Sequence, residues 1–91
     1  DLIAIGAINE FRKQGVRIPE DMSIVGFSNW FMSSVTSPSL TTINQPGFEM
    51  GQKAFHQFHA EIKAIKDKNP IPPRTITLET DLVKRESTKS F

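Results

Sequence analysis

An α/β architecture, with two main helices and short, mostly parallel strands, is what this sequence predicts. Two observations carry that prediction. Apolar residues recur at helical spacing over 1–14 and again over 48–66, and β-branched runs bounded by turn residues lie between and after them. The strands so marked are short and few. A sheet that thin leaves several apolar faces without cover, so the chain reads as a fragment of a larger α/β protein. Its uncovered edges call for further chain or for a second copy.

The first helix spans 1–14. Asp1 suits its N-cap, Ile5, Ile8 and Phe11 advance by three with Ala4 and Ala7 beside them, and Gly15 is placed to stop it after Arg12 and Lys13. Val16 to Asp21 is a short connection with Pro19 starting a turn and Glu20-Asp21 solvated. Ser23-Ile24-Val25-Gly26-Phe27 has the composition of a strand buried on both faces. Ser28 to Ser39 reads as a long loop that carries Trp30, Phe31 and Met32, a pattern suited to a lid, a binding edge or a subunit contact. Leu40 to Asn44 is β-prone and is stopped by Pro46-Gly47.

A second helix follows at 48–66. Phe48, Gly51, Ala54, Phe55, Phe58, Ile62 and Ile65 share one stripe, and Gly51 within it predicts close approach of a neighbouring backbone. Asn69 to Pro73 is a proline-stiffened connector. Thr75-Ile76-Thr77-Leu78 alternates like a half-exposed strand, and Leu82-Val83 begins a last short one.

Composition excludes several classes. Eleven Lys and Arg against ten Asp and Glu leave a net charge of +1, which gives no electrostatic footprint for nucleic acid. The basic run from Lys63 to Lys68 complements a helix C-terminus. The absence of cysteine removes disulfides and thiolate metal sites and is compatible with a reducing cytoplasm. No apolar run approaches the roughly 20 residues of a membrane span. A start within an apparent helix predicts that more chain precedes Asp1.

Catalytic chemistry finds no support. His56 and His59 stand one helical turn apart, yet helical phase sets His56 off the apolar stripe and His59 at its margin, with no nearby Asp or Cys to complete a metal set. The serines at 33, 34, 37 and 39 lack a nucleophile elbow or a marked base. The five glycines are scattered and cradle no phosphate. The expectation is therefore no enzyme, no catalytic residues, no metal and no cofactor. Ser28-Asn29-Trp30 is different, because it follows the C-terminal end of an expected parallel strand, where ligands gather in open α/β sheets. Small polar groups beside an indole suit a sugar. Packing of Trp30 and Phe31 into a core or a subunit contact is the other reading of the same residues.

Taken in order, these stretches resemble the LacI/GalR family of transcriptional regulators. Asp1 looks like the aspartate of the family's Asn-Asp pair, opening a helix similar to Ala4-Ile5-Gly6-Ala7. Gly15-Val16-Arg17-Ile18-Pro19-Glu20-Asp21-Met22-Ser23-Ile24-Val25-Gly26-Phe27 is close to the family's wording. Ser37-Pro38-Ser39-Leu40-Thr41-Thr42-Ile43, then Gln45-Pro46 with Met50-Gly51 and Ala54, and finally Arg85 with Ser87-Thr88, continue the match over essentially the whole chain.

The resemblance implies the C-terminal part of a periplasmic-binding-protein-like (type I) effector domain, with a small ligand, a sugar or sugar derivative, held between two lobes. Residues 1–45 would belong mainly to the C-terminal lobe, 46–78 mainly to the N-terminal lobe, and 79–91 would cross back. It implies a cytoplasmic homodimer that meets DNA only through a helix-turn-helix headpiece outside this chain. Ser28, Asn29, Trp30 and Asp1 are the implied effector-site residues, and Phe31, Met32 and Val35 the implied dimer surface. Ser28 departs from the family, which usually has Asp there. A hydroxyl gives a weaker bond than a charged acceptor, so three readings stay open: a different sugar, a phosphorylated one that a carboxylate would repel, or no small effector at all. A periplasmic sugar-binding protein of the same fold, for transport or chemotaxis, is the alternative.

Overall fold

The computed structural model describes residues 1–90. Its elements are a helix α1 at Leu2–Lys13, a single 3-10 turn at Phe31–Ser34, a strand β1 at Thr42–Asn44, a helix α2 at Gly47–Lys66 and a strand β2 at Asp81–Val83. The chain divides into two compact units. Unit 1 comprises Asp1–Gln45 and the chain from Thr80 onward; unit 2 is Pro46–Glu79.

In unit 1, α1 ends where Gly15 turns left-handed at φ +82°. The Gly15 N–H reaches the Arg12 carbonyl at 3.1 Å and the Val16 N–H reaches that of Phe11 at 2.9 Å, the paired bonds of a Schellman cap. The inner stripe of α1 is as the periodicity predicts. Ile8 packs with Ile18 and Leu40 as the buried apolar centre, and Ala4, Ile5, Phe11 and Ile24 pack around it. Burying each aliphatic side chain of this centre stabilises the fold by about 1.5–3 kcal/mol. At the other end, Asp1 holds the N-cap position but makes no capping bond with its side chain, contrary to the sequence reading; its carboxylate is used elsewhere.

The strands are sparser than expected, and the sheet of the described residues is antiparallel where mostly parallel strands were expected. β1 pairs antiparallel with β2 in the register Thr42↔Val83, Ile43↔Leu82, Asn44↔Asp81. On its other side, parallel pairing is confined to the bridges Val25↔Thr41 and Ser28↔Asn44. The Ser23–Phe27 run therefore lies beside β1 in the expected direction without forming a continuous strand. Nor is it covered on both faces: Ile24 turns inward, while Val25 and Phe27 are more than half exposed.

Unit 2 consists of α2 and an irregular segment. Glu49 in the first turn and Lys63 and Lys66 in the last match the helix dipole. No residue of α2 is buried, and Phe48, Phe55, Phe58 and Ile65 stand exposed. A Cβ added at Gly51 would meet nothing within 4 Å, so the expected close approach is not made within the described residues. Thr75–Leu78 forms no strand. A half-exposed strand needs a partner for its backbone groups, and no described strand pairs with it.

Candidate functional site

Directly after the bridge at Ser28, the backbone enters an unusual corner. Ser28 has φ +115° and Asn29 φ +54°. Asparagine tolerates the left-handed region, but a serine at that angle is strained by about 1–3 kcal/mol, and such geometry persists only where its surroundings impose it. Three successive amides do so here. The Ser28 N–H donates to the Ile43 carbonyl at 2.9 Å, the Asn29 N–H to Thr42 Oγ1 at 3.2 Å, and the Trp30 N–H to Asp1 Oδ2 at 2.6 Å.

Asp1 is the bracket of this corner. While Oδ2 holds Trp30, Oδ1 accepts the Thr42 hydroxyl at 2.6 Å, so both carboxylate oxygens are taken. Thr42 is wholly buried and its hydroxyl in turn accepts from Asn29. Gly26 lets the carboxylate in, because a Cβ there would collide with Asp1 Oδ1 and lie 2.7 Å from Leu40 Cδ2.

Arg85 supports the corner from beneath. Its Nη2 donates to Asn29 Oδ1 at 2.8 Å; its Nη1 donates to Ser33 Oγ at 2.8 Å and to the Leu40 carbonyl at 2.9 Å. Asn29 Nδ2 donates to Asn44 Oδ1 at 3.0 Å. Ser33, fully buried, donates its hydroxyl to the Trp30 carbonyl at 2.6 Å. The closing segment is bonded to the same strand: the Arg85 N–H meets Thr41 Oγ1 at 2.8 Å, and Ser87 Oγ takes the Thr41 N–H at 2.8 Å while donating to the Ile24 carbonyl at 2.6 Å. No buried side-chain nitrogen or oxygen is left without a partner among the described residues.

Ser28, Asn29, Trp30 and Asp1 are thus brought together, with unequal freedom. Ser28 is exposed and its side chain takes no partner among the described residues, and Trp30 as a residue is 40% exposed. That ring meets Phe31 edge-on, with centroids 5.1 Å apart. Asn29 and Asp1 direct their polar atoms inward and hold the other two in position. Phe31 and Val35 project with 72% and 68% of their surface exposed, and Met32 is half-buried. Away from the corner, His56 and His59 both lie against the Phe55 ring, at 5.8 and 6.1 Å. No group of three metal-capable side chains occurs among the described residues.

Sequence reasoning left the roles of Arg85, Thr42, Ser33 and Gly26 unassigned. A signal existed for part of this. Thr41-Thr42 falls inside a core strand, and buried hydroxyls require partners, so polar residues elsewhere in the chain had to reach them.

A chain with this helix, antiparallel strand pair and bracketed corner divides into two compact units. It belongs to the periplasmic binding protein-like domain family, whose family model matches residues 1–88. Within that family its likeness is to LacI/GalR regulators. It is 40% identical over 88 residues to the HTH-type transcriptional regulator RegA of Clostridium saccharobutylicum, covering 97% of this chain and 25% of that protein. It is likewise 40% identical to the HTH-type transcriptional repressor PurR of Actinobacillus pleuropneumoniae, covering 100% of this chain and 26% of that one. The chain therefore spans about a quarter of the length of these relatives. Among solved structures, a LacI family transcriptional regulator from Enterococcus faecalis with bound ribose superposes with a TM-score of 0.83. The two are 38% identical, covering 97% of this chain and 32% of that one.

Proposed function

We propose that this chain is the ligand-sensing and dimerisation segment of a cytoplasmic bacterial regulator, which binds a small carbohydrate or carbohydrate derivative to modulate DNA binding by a headpiece elsewhere in the protein. The observation that carries the reading is the strained Ser28-Asn29 corner, which presents a free hydroxyl and an indole ring from a rigid bracket. Pre-positioned groups of that kind bind a ligand without a further ordering cost. In this reading Ser28 donates to or accepts from a ligand hydroxyl and the Trp30 ring covers its C–H face. Asp1 and Asn29 hold both in place. Because Ser28 carries no charge, the reading extends to neutral and to phosphorylated sugars. Residues 1–45 form part of one lobe, 46–78 part of the other, and the chain from 79 crosses back; Phe31, Met32 and Val35 face a second copy.

The mechanism is a shift between two lobe arrangements. A ligand that binds one of them better changes the spacing of the headpieces in the dimer. The test is fluorescence anisotropy of the full-length protein on its own upstream promoter region, with and without a panel of monosaccharides and their phosphates. The reading expects DNA binding that at least one compound changes. A protein that binds sugar, ignores DNA and is exported from the cell would be a transport or chemotaxis protein instead.

A further inference from the structure

We propose that the side-chain amide of Asn29 is a positioning group that ties the Ser28 corner to both strands by which the chain leaves unit 1 and returns to it. The functional meaning of this inference rests on the ligand-sensing reading above; its geometry does not. The chain leaves unit 1 after Gln45, just beyond β1, and returns at Thr80, just before β2. Asn44 is the last residue of β1 and accepts from Asn29 Nδ2 at 3.0 Å. Arg85 lies two residues past β2 and donates to Asn29 Oδ1 at 2.8 Å.

The orientation of the amide follows from chemistry. A guanidinium can only donate, so the oxygen of Asn29 must face Arg85, its nitrogen must face Asn44, and Asn44 must present its own oxygen. One planar group is thus pinned at one end by the outgoing strand and at the other by the returning segment. Arg85 spends its side-chain bonds on neutral oxygens of Asn29, Ser33 and Leu40, with no carboxylate among these partners. A charged donor on neutral acceptors makes stronger bonds than a neutral one, which suits a clamp. The backbone it clamps is the strained pair Ser28 and Asn29, which relaxes when its restraints are removed. A slip of β1 against β2, now in the register Asn44↔Asp81, separates the two pins and turns the corner that carries Ser28.

Hydrogen exchange at the Trp30 and Ser33 amides of the full-length protein tests this without requiring a ligand. At the Trp30 amide, Asn44→Ala and Arg85→Lys should each raise exchange about tenfold and the double variant should raise it no further, because there both act through the Asn29 amide. At the Ser33 amide Arg85→Lys should raise it further, because Arg85 also bonds Ser33 Oγ and the Leu40 carbonyl directly. Asn44→Asp keeps the acceptor and should retain wild-type protection. Asn29→Gly, which accepts a positive φ but lacks the amide, should match the double variant at Trp30. Additive effects of the two single variants at Trp30, or wild-type protection there in Asn29→Gly, would overturn the proposal. Should Arg85→Lys fail to fold, the contrast between Asn44→Ala and Asn44→Asp decides alone. Calorimetric titration with a panel of monosaccharides and their phosphates, D-ribose included, supplies the functional arm, with affinity for whichever compound binds the wild type expected to fall in the variants whose exchange rises. Unchanged affinity in those variants would overturn the coupling. A wild-type protein that binds no sugar or sugar phosphate would instead overturn the ligand-sensing reading and leave the exchange result standing.

Discussion

Gly26 and Asp1 set the local geometry on which the candidate site depends. A methyl group at Gly26 would press on Leu40 and on the Asp1 carboxylate. That carboxylate cannot swing aside cheaply, since Trp30 and Thr42 hold both of its oxygens. Gly26→Ala in the full-length protein should therefore cost about 1–3 kcal/mol in urea unfolding; an unchanged midpoint would show that the bracket is slack. Asp1→Asn should cost a similar amount, about 1–3 kcal/mol, because a neutral amide replaces two charge-assisted bonds and the Thr42 hydroxyl, which now donates to this carboxylate, must reverse to accept from the amide nitrogen. At this scale the sequence was legible only in part. Ser28, Asn29 and Trp30 stand out as polar and aromatic groups after an apolar run, and the structure gathers them. Asp1 was legible as an N-cap by its position before α1, but its oxygens accept from two donors on distant segments, Trp30 and Thr42, and not from the helix amides. Nothing in local spacing marks Arg85 as their support, since its partners lie 45 to 56 residues away.

The elements divide by whether local sequence decides them. Both helices were legible to within two residues, because each carries a full apolar stripe and α1 has its own stop at Gly15. Strands depend on their neighbours. Ser23–Phe27 keeps its direction beside β1 but only two bridges form, and Thr75–Leu78 has no described partner at all. The closing segment is fastened by backbone and side chain together: the Ser87 N–H donates to the Ser39 carbonyl and the Ile24 N–H to the Ser87 carbonyl, each at 2.9 Å, while Glu86 Oε1 accepts the Ser39 N–H at 3.2 Å and its hydroxyl at 2.9 Å. The Ser39 N–H and hydroxyl hold the Glu86 carboxyl below the ordinary glutamate value of 4.5. A carboxyl depressed in the folded state contributes fully above that value, and the contribution disappears as pH falls through the lower, folded one. The pair is exposed, so solvent screens it and the effect is small. Between about pH 6 and about pH 3, the unfolding midpoint of the full-length protein should fall slightly less in Ser39→Ala than in the wild type. Equal falls would mean that the clamp is open in solution.

Over the whole molecule, the thin sheet and exposed stripes predicted from sequence are also what the structure presents. Phe48, Phe55, Phe58 and Ile65 on α2, and Val25, Phe27, Phe31 and Val35 in unit 1, are left exposed by the described residues. The family assignment was legible because the motifs fall in a fixed order along nearly the full chain, and the family model covers residues 1–88. The ligand was not legible. Ser28 stands where the family resemblance implies an aspartate, so that resemblance does not carry the ligand over. Dimerisation belongs to this scale as well. If the Phe31 edge faces a second copy, Phe31→Glu in the full-length protein should shift sedimentation from dimer toward monomer at micromolar concentration, because a buried unpaired carboxylate is costly. An unchanged profile would remove that edge from the interface.

The account is tested most directly by calorimetric titration of full-length wild type and Ser28→Ala with a panel of monosaccharides and their phosphates. It predicts that at least one compound binds the wild type and that Ser28→Ala weakens it about tenfold, as expected for one lost hydrogen bond, with no change in melting temperature. Binding that is indifferent to Ser28→Ala, or no binding by any sugar or sugar phosphate, would contradict it.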